Sequence, residues 1–335
     1  MRDASRGRLR GHQAKDFHCE ARRAASRAFR LPLLPKQHRD WPMNQQTPPS
    51  VSGDAVIRAL AGGSEIVITT TSRLAGAIHS LTWNGKQFID SFDHGRQLQS
   101  AANFDLGGDL RDEAFNPTEA GCKRDADGPT STSRLLHLSS AGCELVTQSQ
   151  MAFWLSPRQR SGGHVALNTT ALSDHLLRKE VRIGVPGFAH AIRTAVTFTV
   201  PAGERHTRGT FEVLTGYMPR EFRNFHVLLN DGSLKPLSEG SGEQQHPVIV
   251  STTAGSHAMG AWSPDVARTT GQPPMYGRFW FESAHVSKWN CVFRERARRR
   301  IWRTRLQPGD YRYLVFSAVG TREQVRETLW GLRSA

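Results

Sequence analysis

Gly76-Ala77-Ile78-His79-Ser80-Leu81-Thr82-Trp83-Asn84-Gly85-Lys86-Gln87-Phe88-Ile89 is the stretch whose reading decides the fold class. Asn-Gly between two β-forming runs predicts a type I′ hairpin, because both central residues of that turn need positive φ. The same grammar continues on either side. Upstream, Ile66, Ile68 and Thr70 alternate with Val67 and Thr69. Downstream, Val181, Ile183 and Val185 alternate with Arg182 and Gly184 until Pro186-Gly187 closes the run. Ala195 to Val200 alternates again before Pro201-Ala202-Gly203, and Ile301 to Leu306, Pro308-Gly309-Asp310 and Tyr311 to Val319 read as a late hairpin. A helical period stands out only at the C-terminus. There Thr321 and Gln324 make a capping-box pattern, and Val325, Leu329 and Leu332 share one face. Strands without intervening helices exclude a parallel βαβ sheet. The expectation is an all-β fold, a large antiparallel β-supersandwich with a short C-terminal helix.

Composition bounds the rest. The chain of 335 residues is 38% hydrophobic and 22% charged, enough apolar content for a sizeable core. No apolar run approaches the ~18 residues of a membrane span. The early apolar patch from Ala28 to Pro35 is broken by Arg30 and two prolines, so it does not make a signal-peptide core, and a cytoplasmic location is expected. The net charge of +14 is unevenly placed. Residues 1–42 hold nine Arg and two Lys against four acids, and residues 294–305 hold seven Arg against Glu295, which leaves only +1 for everything else. A phosphate-binding face needs many cations together, so nucleic acid is not an expected partner. Neither is a membrane. Residues 1–53 read as a basic extension, disordered or produced by an upstream start codon with Met43 as the true start. Residues 54–335 read as the folded domain. The arginines from Arg294 to Arg305 read as the solvated tip of a hairpin, or as a contact for an anionic partner.

The chemistry-bearing motifs are few. There is no G-x-G-x-x-G opening a helix, no phosphate loop and no G-x-S-x-G, so no cofactor is expected. Cys19, Cys122, Cys143 and Cys291 show no C-x-x-C; a Cys122–Cys143 bridge is conceivable but not implied. Histidines show neither H-x-H nor H-x-x-x-H spacing, and no metal set is expected. The densest polar stretch runs from Asp90 to Gly121 and otherwise reads as loop. It holds His94, Arg96, Gln97 and Gln99, then Asn116 and Glu119. Amide, guanidinium and carboxylate groups of this kind pair with hydroxyls, and a sugar site adds aromatic faces for the apolar side of the ring. The competing reading is a turn network, with Asp and Asn capping turns and Arg96 paired to an acid. Downstream, Tyr217, His226, Phe279, Glu282 and Lys288-Trp289-Asn290 gather further aromatic and polar groups, with Trp289 weighed as core against ligand platform.

From Leu74 onward the chain resembles the galactose-mutarotase-like superfamily. The resemblance rests on Gly76-Ala77-Ile78 with Leu81-Thr82-Trp83-Asn84-Gly85, on Asp93-His94-Gly95-Arg96, and on Gly255-Ser256-His257-Ala258-Met259-Gly260. It implies a β-supersandwich that binds a saccharide in its concave face. Members with mutarotase activity carry a pair of catalytic histidines and a late glutamate. His94 and Glu282 stand at suitable places in that order, and the second histidine would be His190 or His226. The expected catalytic set is therefore His94, His226 and Glu282, with Arg96, Gln97, Gln99, Asn116, Glu119 and Trp289 binding the sugar. Three classes follow: a mutarotase or epimerase, a polysaccharide lyase or glycoside hydrolase, and a non-catalytic saccharide-binding module.

Overall fold

The computed structural model describes residues 51–297 and 305–335. The basic leader, and residues 298–304 of the arginine-rich run with the start of the strand expected there, lie outside the described residues. Within them the regular structure is almost wholly antiparallel strand, closed by one α-helix at Arg322–Ser334. One layer runs, in spatial order, Ala55–Ala61, Ser64–Thr70, Ile78–Trp83, Leu98–Phe104, Arg208–Pro219, Val286–Arg296, Met275–Phe281 and Gly242–Gln244. The other runs Arg134–Ala141, Glu144–Phe153, Leu172–Val185, Phe188–Val200, Gly309–Gly320, Ala258–Trp262, Val248–Ser251, Asn224–Leu228 and Leu234–Leu237. Pro117–Thr118 pairs with a strand of each layer and stitches them along one side.

The local signals act as expected. Asn84 and Gly85 take φ of 48° and 71°, and the chain reverses there from Ile78–Trp83 into Lys86–Gln87. Ile66, Ile68 and Thr70 are buried while Val67 and Thr69 are not, as a half-buried strand requires. Thr321 accepts from the Gln324 amide and Gln324 reciprocates, so the capping box forms. Val325 and Leu329 of this helix pack on Leu228, Ile249 and Ala318.

Aromatic rings fill the space between the layers. Phe211 meets Phe198 and Tyr311 of the opposite layer at 5.1 and 5.0 Å, and Phe293 stacks on Tyr313 at 4.3 Å. Truncating such a ring typically costs about 3–5 kcal/mol through lost burial and the void left behind. Cys122 is a free thiol near Thr132 Oγ1, so no Cys122–Cys143 bridge forms. Among the described residues, no helix is long and apolar enough to cross a membrane.

One expectation fails locally. Part of the polar stretch from Asp90 to Gly121 that reads as loop is a central strand, Leu98–Phe104, paired along Arg208–Pro219. Its small polar residues lack the β-branched signature, yet most of the strand is buried. Ser100 is held there by donating to the Val213 carbonyl at 2.7 Å.

Candidate functional site

Strand alternation sends half of the first layer's side chains away from the core, and on that outer face lies a cleft of about 740 Å³. Along Val286–Arg296, Lys288, Asn290 and Arg294 line the cleft, while Trp289, Cys291 and Phe293 are buried in the sandwich. Along Leu98–Phe104, Gln99, Ala101 and Asn103 line it.

Arg208–Pro219 breaks the simple rule. A β-bulge lies between Glu212 and Leu214, and both Val213 and Leu214 are buried. Before the bulge the even residues Thr210 and Glu212 face the cleft; after it the odd residue Tyr217 does. The extra residue inverts the parity of the strand and brings Glu212 onto the same face as Thr215 and Tyr217. Thr215 Oγ1 accordingly donates to Glu212 Oε2 at 2.8 Å.

At the centre of the cleft Lys288 Nζ lies 3.0 Å from Glu212 Oε2, with side chains 13% and 31% exposed. Burial alone would raise the Glu212 carboxyl. The Lys288 ammonium, with hydrogen bonds from Thr215 and Asn290, outweighs it and holds the group below the usual carboxylate range. Burial likewise works against the Lys288 charge, but Glu212 and Tyr217 more than offset it and push the ammonium up. Burial raises the Tyr217 phenol. The central cluster therefore carries a fixed cation, a fixed anion and a neutral phenol around neutrality.

Aromatic faces flank this charge. Lys288 Nζ sits 5.4 Å from the Tyr217 ring centre and 5.3 Å from that of Phe279. Phe281 is near-parallel to both, at 6.5 Å from Tyr217 and 6.2 Å from Phe279. Phe281 is 40% exposed, an uncovered flat apolar face beside a polar floor.

The residues expected from sequence are scattered by this geometry. Gln99 and Asn116 line the cleft; Gln99 Nε2 donates to the Gly95 carbonyl, and its Oε1 has no partner among the described residues. Arg96 lies close by in sequence but is not among the lining residues, pairing instead with Asp93 at 3.1 Å and Asp90 at 3.7 Å over the Phe92 ring. His94 is 1% exposed, with one ring nitrogen on the Ala126 carbonyl and the other on that of Arg73. Gln97 is buried, donating to the Asp93 carbonyl. Glu119 is buried against Lys179. Trp289 points into the core, where its indole covers Gly216 so closely that a Cβ there would fall 2.5 Å from Nε1. His226 belongs to the other layer, where burial and then the Arg322 charge lower its pKa. His190 bonds the Val319 carbonyl. Glu282 is exposed and bonds the Trp280 indole.

The structure thus brings together Gln99 and Asn116 but not the triad of His94, His226 and Glu282. Sequence reasoning noted Tyr217, Phe279, Lys288 and Asn290 as aromatic and polar groups without assigning them to the site, and it left out Glu212. One signal for them was present: polar Lys288, Asn290 and Arg294 alternate with Trp289, Cys291 and Phe293, the mark of a strand with a polar outer face.

No protein-family model matches the chain, and no curated protein matches it. Solved structures do resemble it at low identity. The Slr1438 protein from Synechocystis is 10% identical with a TM-score of 0.44, over 80% of this chain and 96% of that one. A provisionally named aldose 1-epimerase from Klebsiella pneumoniae is 11% identical with a TM-score of 0.42, over 84% of this chain and 91% of that one. The GH36 alpha-galactosidase AgaA from Geobacillus stearothermophilus is 10% identical with a TM-score of 0.40, over 80% of this chain but 41% of that one.

Proposed function

We propose that the protein recognises a saccharide in the cleft of its outer face. The observation that carries this reading is the pairing of an aromatic wall, half-buried Tyr217 and exposed Phe281, with the Lys288–Glu212 ion pair on the floor. A sugar ring presents an apolar face and a rim of hydroxyls. The wall suits the first, and the unused donors of Lys288 and acceptors of Glu212 suit the second. Gln99 and Asn116 extend the hydrogen-bonding rim, as expected from sequence.

Binding without turnover is the form of this reading that the electrostatics favour. Epimerisation by acid–base exchange calls for groups titrating near neutrality. The central pair is displaced away from neutrality on both sides, and no histidine is among the described residues lining this cleft.

The test is a glycan array on the purified full chain, followed by calorimetry on the best hit. Binding that falls at least tenfold in Lys288→Met and about two- to tenfold in Phe281→Ala supports the reading. An array without hits, or hits indifferent to both substitutions, overturns it. Anomer interconversion or release of reducing ends by the native protein, lost in Glu212→Gln, would replace binding with catalysis.

A further inference from the structure

We propose that His175, Glu204 and His206 form a binding site for a zinc-type divalent cation, separate from the residues that line the cleft. His175 stands on the strand Leu172–Val185, and the other two on the turn leading into Arg208–Pro219. One ligand atom from each lies within 4.8 Å of the others. Glu204 Oε2 is 3.1 Å from His175 Nε2 and 2.6 Å from His206 Nε2. Tetrahedral zinc with bonds of about 2.0–2.1 Å sets its ligand atoms about 3.3 Å apart, so small side-chain shifts complete the geometry.

Three further observations point to a cation. His206 Nδ1 faces the Asp105 carbonyl at 2.6 Å. If that nitrogen donates, Nε2 is the lone-pair nitrogen, and it faces a carboxylate oxygen. Two acceptors at 2.6 Å need a positive charge between or beside them. His175 is only 2% exposed, yet among the described residues neither of its ring nitrogens has a hydrogen-bond partner: the 3.1 Å approach to Glu204 lies out of line. A buried imidazole in that state is costly, and coordination would satisfy it. Finally, both rings are held in place. Phe104 stacks on His175 at 5.0 Å and on His206 at 4.6 Å. The Asp105 carboxylate accepts from the Thr207 and Arg208 amides, at 2.7 and 2.6 Å, and fixes the turn.

The donor set selects the metal. Two imidazoles and one carboxylate suit zinc, whereas calcium and magnesium prefer oxygen throughout. Glu204 is half-buried, so a fourth position on its side would open toward solvent for water. The cation would tie the strand to the turn.

The experiment strips the full chain with a chelator and titrates it with Zn²⁺ by calorimetry and with Co²⁺ by visible absorption. One tight site, a tetrahedral Co²⁺ band and a Tm that climbs with Zn²⁺ concentration are expected. Altering outer-shell partners alone weakens metal sites about 10–100-fold, so Glu204→Gln and His175→Gln should each weaken binding by about a hundredfold or more. His137→Gln, on an exposed strand, should leave it unchanged. If His175→Gln does not fold, Glu204→Gln decides alone. Absence of stoichiometric Zn²⁺ binding would assign the cation between Glu204 and His206 to a shared proton and overturn the proposal. So would native affinity in Glu204→Gln.

Discussion

Two lysine–glutamate pairs sit in this molecule under opposite conditions. Lys179 and Glu119 lie 2.5 Å apart with side chains 1% and 3% exposed, between the layers. Their remaining partners are backbone: the Ser100 amide donates to Glu119 at 2.8 Å, and Lys179 reaches the Leu98 carbonyl at 3.5 Å. Lys288 and Glu212 lie 3.0 Å apart at the floor of a cleft, 13% and 31% exposed. Two charged side chains taken out of water depend on each other, and among the described residues the enclosed pair has only that backbone amide and carbonyl besides. The open pair keeps bonding capacity facing the cleft. The same two residue types thus serve as an internal tie in one place and, in the proposed site, as a contact for hydroxyls in the other.

The largest test of this contrast is Glu119→Gln, which strands the Lys179 ammonium and should lower unfolding free energy by about 3–5 kcal/mol in chemical denaturation. A loss no greater than that of Glu212→Gln would erase the distinction. Lys288→Met should do the reverse. Glycan affinity is expected to fall by about 1.5–3 kcal/mol, the worth of a charged hydrogen bond, with stability lower by only about 1 kcal/mol. Phe281→Ala, which removes an exposed ring, should weaken glycan binding by about 0.5–1.5 kcal/mol and leave the denaturation midpoint within error.

The smallest expected effect is a flat line. The Glu212 pKa is lowered on folding, so its contribution is complete above the usual carboxylate range and fades only as pH falls through the lowered value. The Lys288 pKa is raised, so its contribution is complete below the ordinary lysine value and fades only as pH climbs through the raised one. Affinity for the glycan should therefore hold constant between about pH 5 and pH 10. A bell centred near neutrality would shift the reading toward acid–base catalysis.

What could be read in advance was whatever the chain encodes locally. Asn84-Gly85, the Ile66–Thr70 alternation and the Thr321–Gln324 box each need only their own neighbours, and each forms as expected. The site is a different matter. Gln99 and Asn116 were singled out because their side chains suit hydroxyls, and both line the cleft of the proposed site. His94, Gln97 and Glu119 share that chemistry, but tertiary packing spends it on backbone carbonyls and on a lysine 60 positions away. Glu212 and Tyr217 are five apart, so a regular strand would place them on opposite faces. Only the bulge, which leaves no distinctive residue in the sequence, reunites them.

That bulge gives the strand Arg208–Pro219 two reading frames in one element. Ahead of Val213 the odd positions belong to the core, and beyond Leu214 the even ones do. Were the strand to run straight through at its full length, the pairing would have to choose one of them. Keeping the later frame would turn Phe211 out to solvent and Glu212 in among the rings. Keeping the earlier one would send Tyr217 inward and Met218 out. Deleting Val213, which has no partner in the register, would instead set Glu212 beside Leu214 and keep every other side chain on its own face. Any effort to graft this strand residue for residue onto another scaffold has to copy the irregularity along with the side chains.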